Sequence, residues 1–350
     1  MQADSHSDMI TIGVDIGGAK TKIGIFKHGG QMLAKHVIPT GTKETGGVLE
    51  AVGDKIREVI ERGTFEADDI AGIGLGICGP VTKGGVVLKC ANIDLEEVYP
   101  QEVFHRILPE IKGPVRCCNN ANAAALGEMF KGAAKGREDV LLVRIGTGLG
   151  AGIVTNGRIV TGFHGLSGEI GHLCVNKEET RQCGCGLYGC LEQYVSEPGM
   201  VREAHQLLKE HPEVPSPLRN LLEGAAATDR ALQTGAVLPH MTAVDIFNAA
   251  HNGDEIAEFV VNHVCSMLGK ALAFVANVTA PEVILLGGDV SRAAALAIGQ
   301  VKSSYRRTVY PELNGIPIRL AALGGDAGMI GADYLIEEHL YGSGAMHAGL

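Results

Sequence analysis

Positive charge is scarce in this 350-residue chain: 30 lysines and arginines stand against 40 aspartates and glutamates, a formal net charge of −10. Nucleic acid is held electrostatically by a basic patch or stripe, and no stretch of the sequence supplies one, so a nucleic-acid surface is not expected. Long apolar runs are missing too. No uninterrupted segment approaches the roughly 20 residues that cross a bilayer. The opening MQADSHSDMI lacks the basic start and apolar stretch of a secretory leader. The reading is a soluble, cytoplasmic protein with no membrane contact. The phosphate-binding pattern G-x-x-x-x-G-K-[ST] is absent, and the 49 glycines follow no Gly-X-Y period, which excludes a collagen-like rod.

What is present is a chain with 45% hydrophobic residues, long enough for two cores of ordinary size. ITIGVD (10–15) reads as a buried strand, GGAKT as a glycine turn and KIGIF (22–26) as the returning strand. The same plan recurs at VLLVRIG (140–146), TGLG and AGIVTNGRIV (151–160). This weak internal repeat is of the kind left by duplicated domains facing a shared cleft. Helices are expected near 47–62, after PVRCC, and near 254–279, 290–303 and 328–340; strands are expected at 70–77, PVRCC, 283–288 and 316–323. Strands alternating with helices indicate an α/β class. The expected division is a first domain of residues 1–118 joined by the C-terminal helix of about 328–350, and a second domain of residues 119–327. The tail from residue 341 reads as frayed.

Four glycine loops follow apolar strands. DIGGAK offers Asp15, Gly17, Gly18, Ala19 and Lys20, where backbone N–H groups converge on a phosphate and an acid at a strand end suits Mg²⁺ or its water shell. A hairpin turn with a solvated acid is the plain alternative. IGTGLGAG repeats the geometry with Gly146, Thr147 and Gly148, and two such loops suit a nucleotide phosphate tail. GGD, with Gly287 and Gly288, and GGDAGMIG (324–331) each open a helix, where a nucleotide can lie against bare backbone.

Nine cysteines are unevenly spread, with three between residues 183 and 190. His172, Cys183, Cys185 and Cys190 provide one nitrogen and three sulfurs, a set that favours tetrahedral Zn²⁺ in a closed, structural site. Cys174 is a spare thiol ranked below His172. Glu169 and Glu192 flank the cluster, and rigid carboxylates beside an imidazole are good acceptors for vicinal hydroxyls.

DIGGAKTKIG, GLGICGPV, NNANAAALGE, IGTGLGAGIVTNGRIVTGFHGLSGEIGH, CGCGLYGCLE and VILLGG, in that order, resemble the ROK family of bacterial sugar kinases and related repressors. The likeness runs from about residue 10 to about residue 340. It implies an actin-like, hexokinase-type fold of two α/β domains with an interdomain cleft, ATP with Mg²⁺ on the glycine loops, a structural zinc, and a hexose in the cleft. It further implies sugar contacts at Gly79, Asn92, Asn119, Asn120, Glu169, His172 and Glu192, and a homodimer or homotetramer. A repressor of the family needs an N-terminal DNA-binding domain, and only about nine residues precede the first strand.

Two positions depart from the family pattern. Its kinases generally read NDxN where this chain reads NNAN, so Asn120 occupies the place of the catalytic base. They read GGT where this chain has Gly17, Gly18 and Ala19, removing a phosphate-facing hydroxyl. The expected activity is ATP-dependent phosphorylation of glucose or a close relative, impaired at Asn120. The rival expectation is a catalytically silent sugar-binding protein, either a natural pseudokinase or an engineered inactive variant.

Overall fold

Glycine spaced through the first and fourth strands lets a helix lie directly on their backbones, and this contact organises the first half of the chain. A computed structural model describes residues 9–40, 47–63, 65–90, 93–221, 241–288, 290 and 295–342. Strands β1 (Ile10–Ile16), β2 (Lys20–Lys27) and β3 (Gln31–Pro39) form a meander. They are followed by helix α1 (Val48–Glu61), strand β4 (Ile70–Ile77), helix α2 (Pro100–Ile107), strand β5 (Val115–Asn119) and helix α3 (Asn120–Lys131). Next come β6 (Val140–Ile145), β7 (Leu149–Thr155) and β8 (Arg158–Ile159). Helices α4 (Glu192–Val195), α5 (Glu197–Glu210), α6 (Ala243–His251) and α7 (Glu255–Thr279) precede β9 (Val283–Gly287). Helix α8 (Ile298–Arg306), strand β10 (Ile318–Leu320) and helix α9 (Ala327–Tyr341) complete the order.

The strands form two five-stranded sheets, ordered β3-β2-β1-β4-β5 and β8-β7-β6-β9-β10. Numbered within its own half, each sheet reads third, second, first, fourth, fifth. The internal repeat in the sequence is thus a repeat of topology. β1 runs antiparallel to β2 and parallel to β4, and β4 is parallel to β5. In the second sheet β7 and β8 are antiparallel while β9 and β10 are parallel.

Two compact units result: residues 1–142, 152–168 and 322–350, and residues 143–151 and 169–321. The expected boundary at 118/119 falls inside the first unit, because α3 packs along α9 and over β4. In that unit one sheet face carries α1, whose buried Val48, Leu49, Val52, Ile56 and Val59 follow a helical stripe. The other face carries α9. A Cβ added at Gly74 would sit 1.8 Å from the Ala332 carbonyl oxygen, and one at Gly331 would sit 1.6 Å from that of Ala123. Only hydrogen at these positions permits the β4–α9–α3 layering.

Some expectations need correction. Residues 151–160 are not one strand: β7 and β8 flank a tight turn at Asn156 (φ 51°) and Gly157 (φ 71°), the Asn-Gly signature of a two-residue hairpin. β3 and α2 were not anticipated, and the strand expected at 316–323 spans only Ile318–Leu320. Of the helix expected at 290–303, residues 291–294 lie outside the described residues, as do residues 343–350 of the tail. Helix α7 is by length and composition apolar enough to cross a membrane. Its most apolar window is 56% buried, and it packs against α5, α6 and α8, so it serves as a core helix.

Candidate active site

In the first unit the GGAK turn closes on itself, Gly17 N–H donating to the Lys20 carbonyl at 3.1 Å. Thr40 braces it from β3's end: its hydroxyl donates to the Gly17 carbonyl at 2.7 Å and its N–H to the Ala19 carbonyl at 3.0 Å. Gly18, Ala19 and Lys20 are exposed. Asp15 is buried on β1, with its carboxylate against Gly328 in the first turn of α9. The Lys22 ammonium donates to the Gly325 carbonyl. The DIGGAK turn and the GGDAG turn are therefore neighbours.

At the end of β5, Asn119 and Asn120 divide their roles. The Asn119 carboxamide oxygen accepts from Ala121 N–H at 2.8 Å and caps α3, while its NH₂ donates to the Gly79 carbonyl at 3.1 Å. The cap therefore comes from Asn119, and Asn120 is the half-buried first residue of the helix. Gly79 has no room for a side chain, since an added Cβ would stand 2.1 Å from the Cys90 sulfur. Asn92 lies outside the described residues. Asp94, the acid two residues beyond Asn92 in the sequence, is exposed. At the far end of α3, buried Glu128 accepts from Ala133, Ala322 and Leu323 N–H at 2.7, 3.0 and 2.7 Å. These bonds tie the helix to the turn before α9.

In the second unit, Glu192 at the start of α4 accepts the Leu149 N–H at 2.8 Å, and its carboxylate lies against Gly148. Gly146 N–H donates to the Gly148 carbonyl at 3.0 Å, and Thr147 is exposed at the tip. Gly288 (φ 93°) lies over Ile145, where a Cβ would meet the Ile145 carbonyl oxygen at 2.3 Å. The loops at 146–148 and 287–288 are thereby brought together. Glu169 and His172 face each other at 3.8 Å, Oε2 to Nε2. Burial raises the Glu169 pKa, the His172 ring lowers it in part and the Glu192 charge adds to the rise.

The other ring nitrogen of His172, Nδ1, lies 3.8 Å from Cys183 Sγ, and Cys185 Sγ lies 3.7 Å from Cys190 Sγ. All four donor atoms fall within 4.8 Å of one another. Tetrahedral zinc with Zn–S bonds of about 2.3 Å separates its sulfurs by about 3.8 Å, so the side chains fit the ion. His172 presents one nitrogen to Cys183 and the other to Glu169.

Sequence reading missed the residues that shape this loop. The Tyr194 hydroxyl donates to Glu179 at 2.6 Å and accepts from the Asn176 amide at 3.0 Å. The Arg181 guanidinium, with Tyr194, brings the Glu179 pKa down to about 2. Nothing in their spacing marks these four as a group, because they meet only when the loop turns back on α4. Thr40 was missed for the same reason.

The ROK family pattern matches residues 11–339. A glucokinase of Halalkalibacterium halodurans is 35% identical over 95% of this chain and 96% of its own length. The crystal structure of a ROK family glucokinase from Streptomyces griseus in complex with glucose and AMPPNP superimposes with a TM-score of 0.72 at 31% identity, over 93% of this chain and 98% of that one. A ROK family transcriptional regulator, homologous to the Escherichia coli MLC protein, superimposes with a TM-score of 0.80 at 25% identity, over 96% of this chain and 80% of its own. These neighbours carry the actin-like α/β fold expected from the sequence, and the match over residues 11–339 establishes that the chain belongs to the ROK family.

Proposed function

We propose that this protein is an ATP-dependent hexose kinase acting on glucose or a close relative, slowed at the proton-transfer step. The observation that carries the reading is the near full-length identity to glucokinases, 35% over 95% of the chain, together with motif residues at the family positions. Asp15, Gly17, Gly18, Ala19 and Lys20, with Gly146, Thr147, Gly148, Gly287 and Gly288, would hold the nucleotide and its Mg²⁺. ATP supplies the γ-phosphoryl group. Gly79, Asn92, Asn119, Asn120, Glu169, His172 and Glu192 would bind the sugar.

Asn119 is held rigidly by its cap and its Gly79 bond, so its remaining hydrogen-bonding capacity is presented in a fixed direction. Glu192 spends one carboxylate oxygen on Leu149 N–H, which couples the sugar pocket to the phosphate loop. His172, Cys183, Cys185 and Cys190 would bind structural zinc and stiffen the segment that bears Glu169 and Glu192. Asn120 can orient the attacking hydroxyl but cannot take its proton. A positioned base contributes about 10² to 10⁴ in rate, while phosphoryl transfer owes most of its acceleration to positioning and charge stabilisation. The result is a protein that binds well and turns over slowly, in the cytoplasm, as a homodimer or homotetramer.

The uncharged side chain at Asn120 also favours a second reading, a silent sugar-binding protein. A coupled assay of ADP release across a hexose panel separates the two. The kinase reading expects measurable turnover by the natural chain and a gain of about 10² to 10⁴ in kcat for Asn120→Asp with little change in KM. Sugar binding with turnover at background in the natural chain, restored only by Asn120→Asp, supports the silent protein. Failure of both proteins to bind any hexose refutes both readings.

A further inference from the structure

The cysteine that the four-donor set leaves out is paired with one that it uses. Cys174 and Cys190 are directly opposed in an antiparallel bridge. The flanking hydrogen bonds, Leu191 N–H to the Leu173 carbonyl at 2.9 Å and Val175 N–H to the Gly189 carbonyl at 2.8 Å, make theirs the non-hydrogen-bonded kind of pair. Such pairs have Cα atoms about 4.5 Å apart and side chains on one face, within the range of about 4.4 to 6.8 Å that a disulfide spans. The strand crossing is tight on this side: a Cβ at Gly189 would lie 3.2 Å from the Cys174 sulfur. Cys174 is exposed and Cys190 is buried. An oxidant therefore reaches the first and not the second.

We infer that Cys174 and Cys190 form a redox switch on the metal loop, in which a peroxide converts the pair to a disulfide and withdraws one donor from the cluster. This rests on the reading of His172, Cys183, Cys185 and Cys190 as a zinc site. In the first step the Cys174 thiolate attacks a peroxide oxygen: an S–O bond forms, the O–O bond breaks, and hydroxide leaves to be protonated to water. In the second, the Cys190 thiolate attacks the Cys174 sulfur: the S–S bond forms, the S–O bond breaks, and a second hydroxide becomes water. Two thiols lose two electrons and two protons in all, and hydrogen peroxide is reduced to two waters. His172, Cys183 and Cys185 remain as a three-donor set that holds the ion less tightly. Reduction by a dithiol reverses the change.

The test uses the full chain, reduced and loaded with zinc, with metal release followed by a zinc-binding dye and the cysteine linkage by peptide mass spectrometry. Hydrogen peroxide should release zinc from the natural chain and yield a peptide pair joined through Cys174 and Cys190. Dithiothreitol with added zinc should restore the loaded form. In Cys174→Ser the joined pair is absent, and release should slow by at least about 10-fold, since the exposed thiol that lies outside the donor set is gone while exposed Cys185 is held within it. Equal release rates in the two proteins, or linkages confined to Cys183, Cys185 and Cys190, overturn the switch and leave the zinc site standing. Failure of the reduced natural chain to take up zinc, seen before any oxidant is added, refutes the zinc site and the switch with it.

Discussion

The two sheets share a strand order, and the two units differ in what holds them. The first is closed by apolar packing and bare backbone: α1 covers one face of its sheet, and α9 rests on Gly74 and Gly13 of the other. The second unit has a comparable glycine contact, Gly269 of α7 against Val301 and Ser304 of α8. In addition it carries a long loop with little regular structure, shaped by the clustered His172, Cys183, Cys185 and Cys190 and the Asn176–Glu179–Arg181–Tyr194 network. One strand order thus sits beside two kinds of additional stabilisation: the first unit relies on a helix laid on bare strand backbone, while the second adds to its apolar core a loop whose polar groups are satisfied by one another.

That contrast can be broken from either side. The largest effect is expected from Gly74→Ala, whose added carbon has no space before the Ala332 backbone. It should cost roughly 3 kcal/mol or more, as core overpacking against backbone does, and lower Tm whether or not zinc is present. A Tm within a degree of the natural chain would mean that α9 shifts freely over the sheet, contrary to the layered reading. The second effect belongs to the other unit. Cys185→Ser, or chelation, should weaken sugar binding by about 10-fold to 100-fold and ATP binding much less, measured by calorimetric titration with each ligand. Equal losses would disconnect the metal loop from the Glu169 and Glu192 pocket.

The smallest effect is again in the first unit, where α9 buries an acid. Asp333 is fully buried and accepts from the Thr11 hydroxyl at 2.5 Å; burial raises its pKa well above the ordinary aspartate value. The folded state therefore keeps a proton that the unfolded chain gives up. Stability is fully present below the unfolded pKa of about 3.9 and falls as pH rises from there toward the folded value. Asp333→Asn needs no deprotonation. Its Tm relative to the natural chain should rise by a few degrees between pH 4 and neutrality, and a constant or falling difference would show the carboxyl to be ionised in the fold.

Legibility in the sequence followed the range over which each feature is encoded. β1, β4 and β9 were readable because buried strands are short, largely apolar runs, and α7 because its apolar spacing persists over 25 residues. The edge strand β3 was not, since QMLAKHVIP is exposed on most of its length and has no buried face to pattern it. The Asn-Gly at 156–157 carried the hairpin signal that splits β7 from β8, and the reading of one continuous strand passed over it. In the site, the grouping of His172, Cys183, Cys185 and Cys190 was legible because soft donors crowd within a short stretch. Thr40, Glu128 and Tyr194 were not, because each acts on a backbone or side chain far along the chain.

By itself the sequence determined the α/β class, the twofold repeat, the crowding of soft donors at His172, Cys183, Cys185 and Cys190 and the uncharged amide at Asn120, all of which depend on residue type and local spacing. Tertiary structure alone decided that Asn119 rather than Asn120 caps α3, that Glu192 accepts the Leu149 N–H beside the 146–148 loop, and that Cys174 faces Cys190. Hydrogen-bond partners and strand register are set by where the chain returns to itself. No local pattern records that geometry.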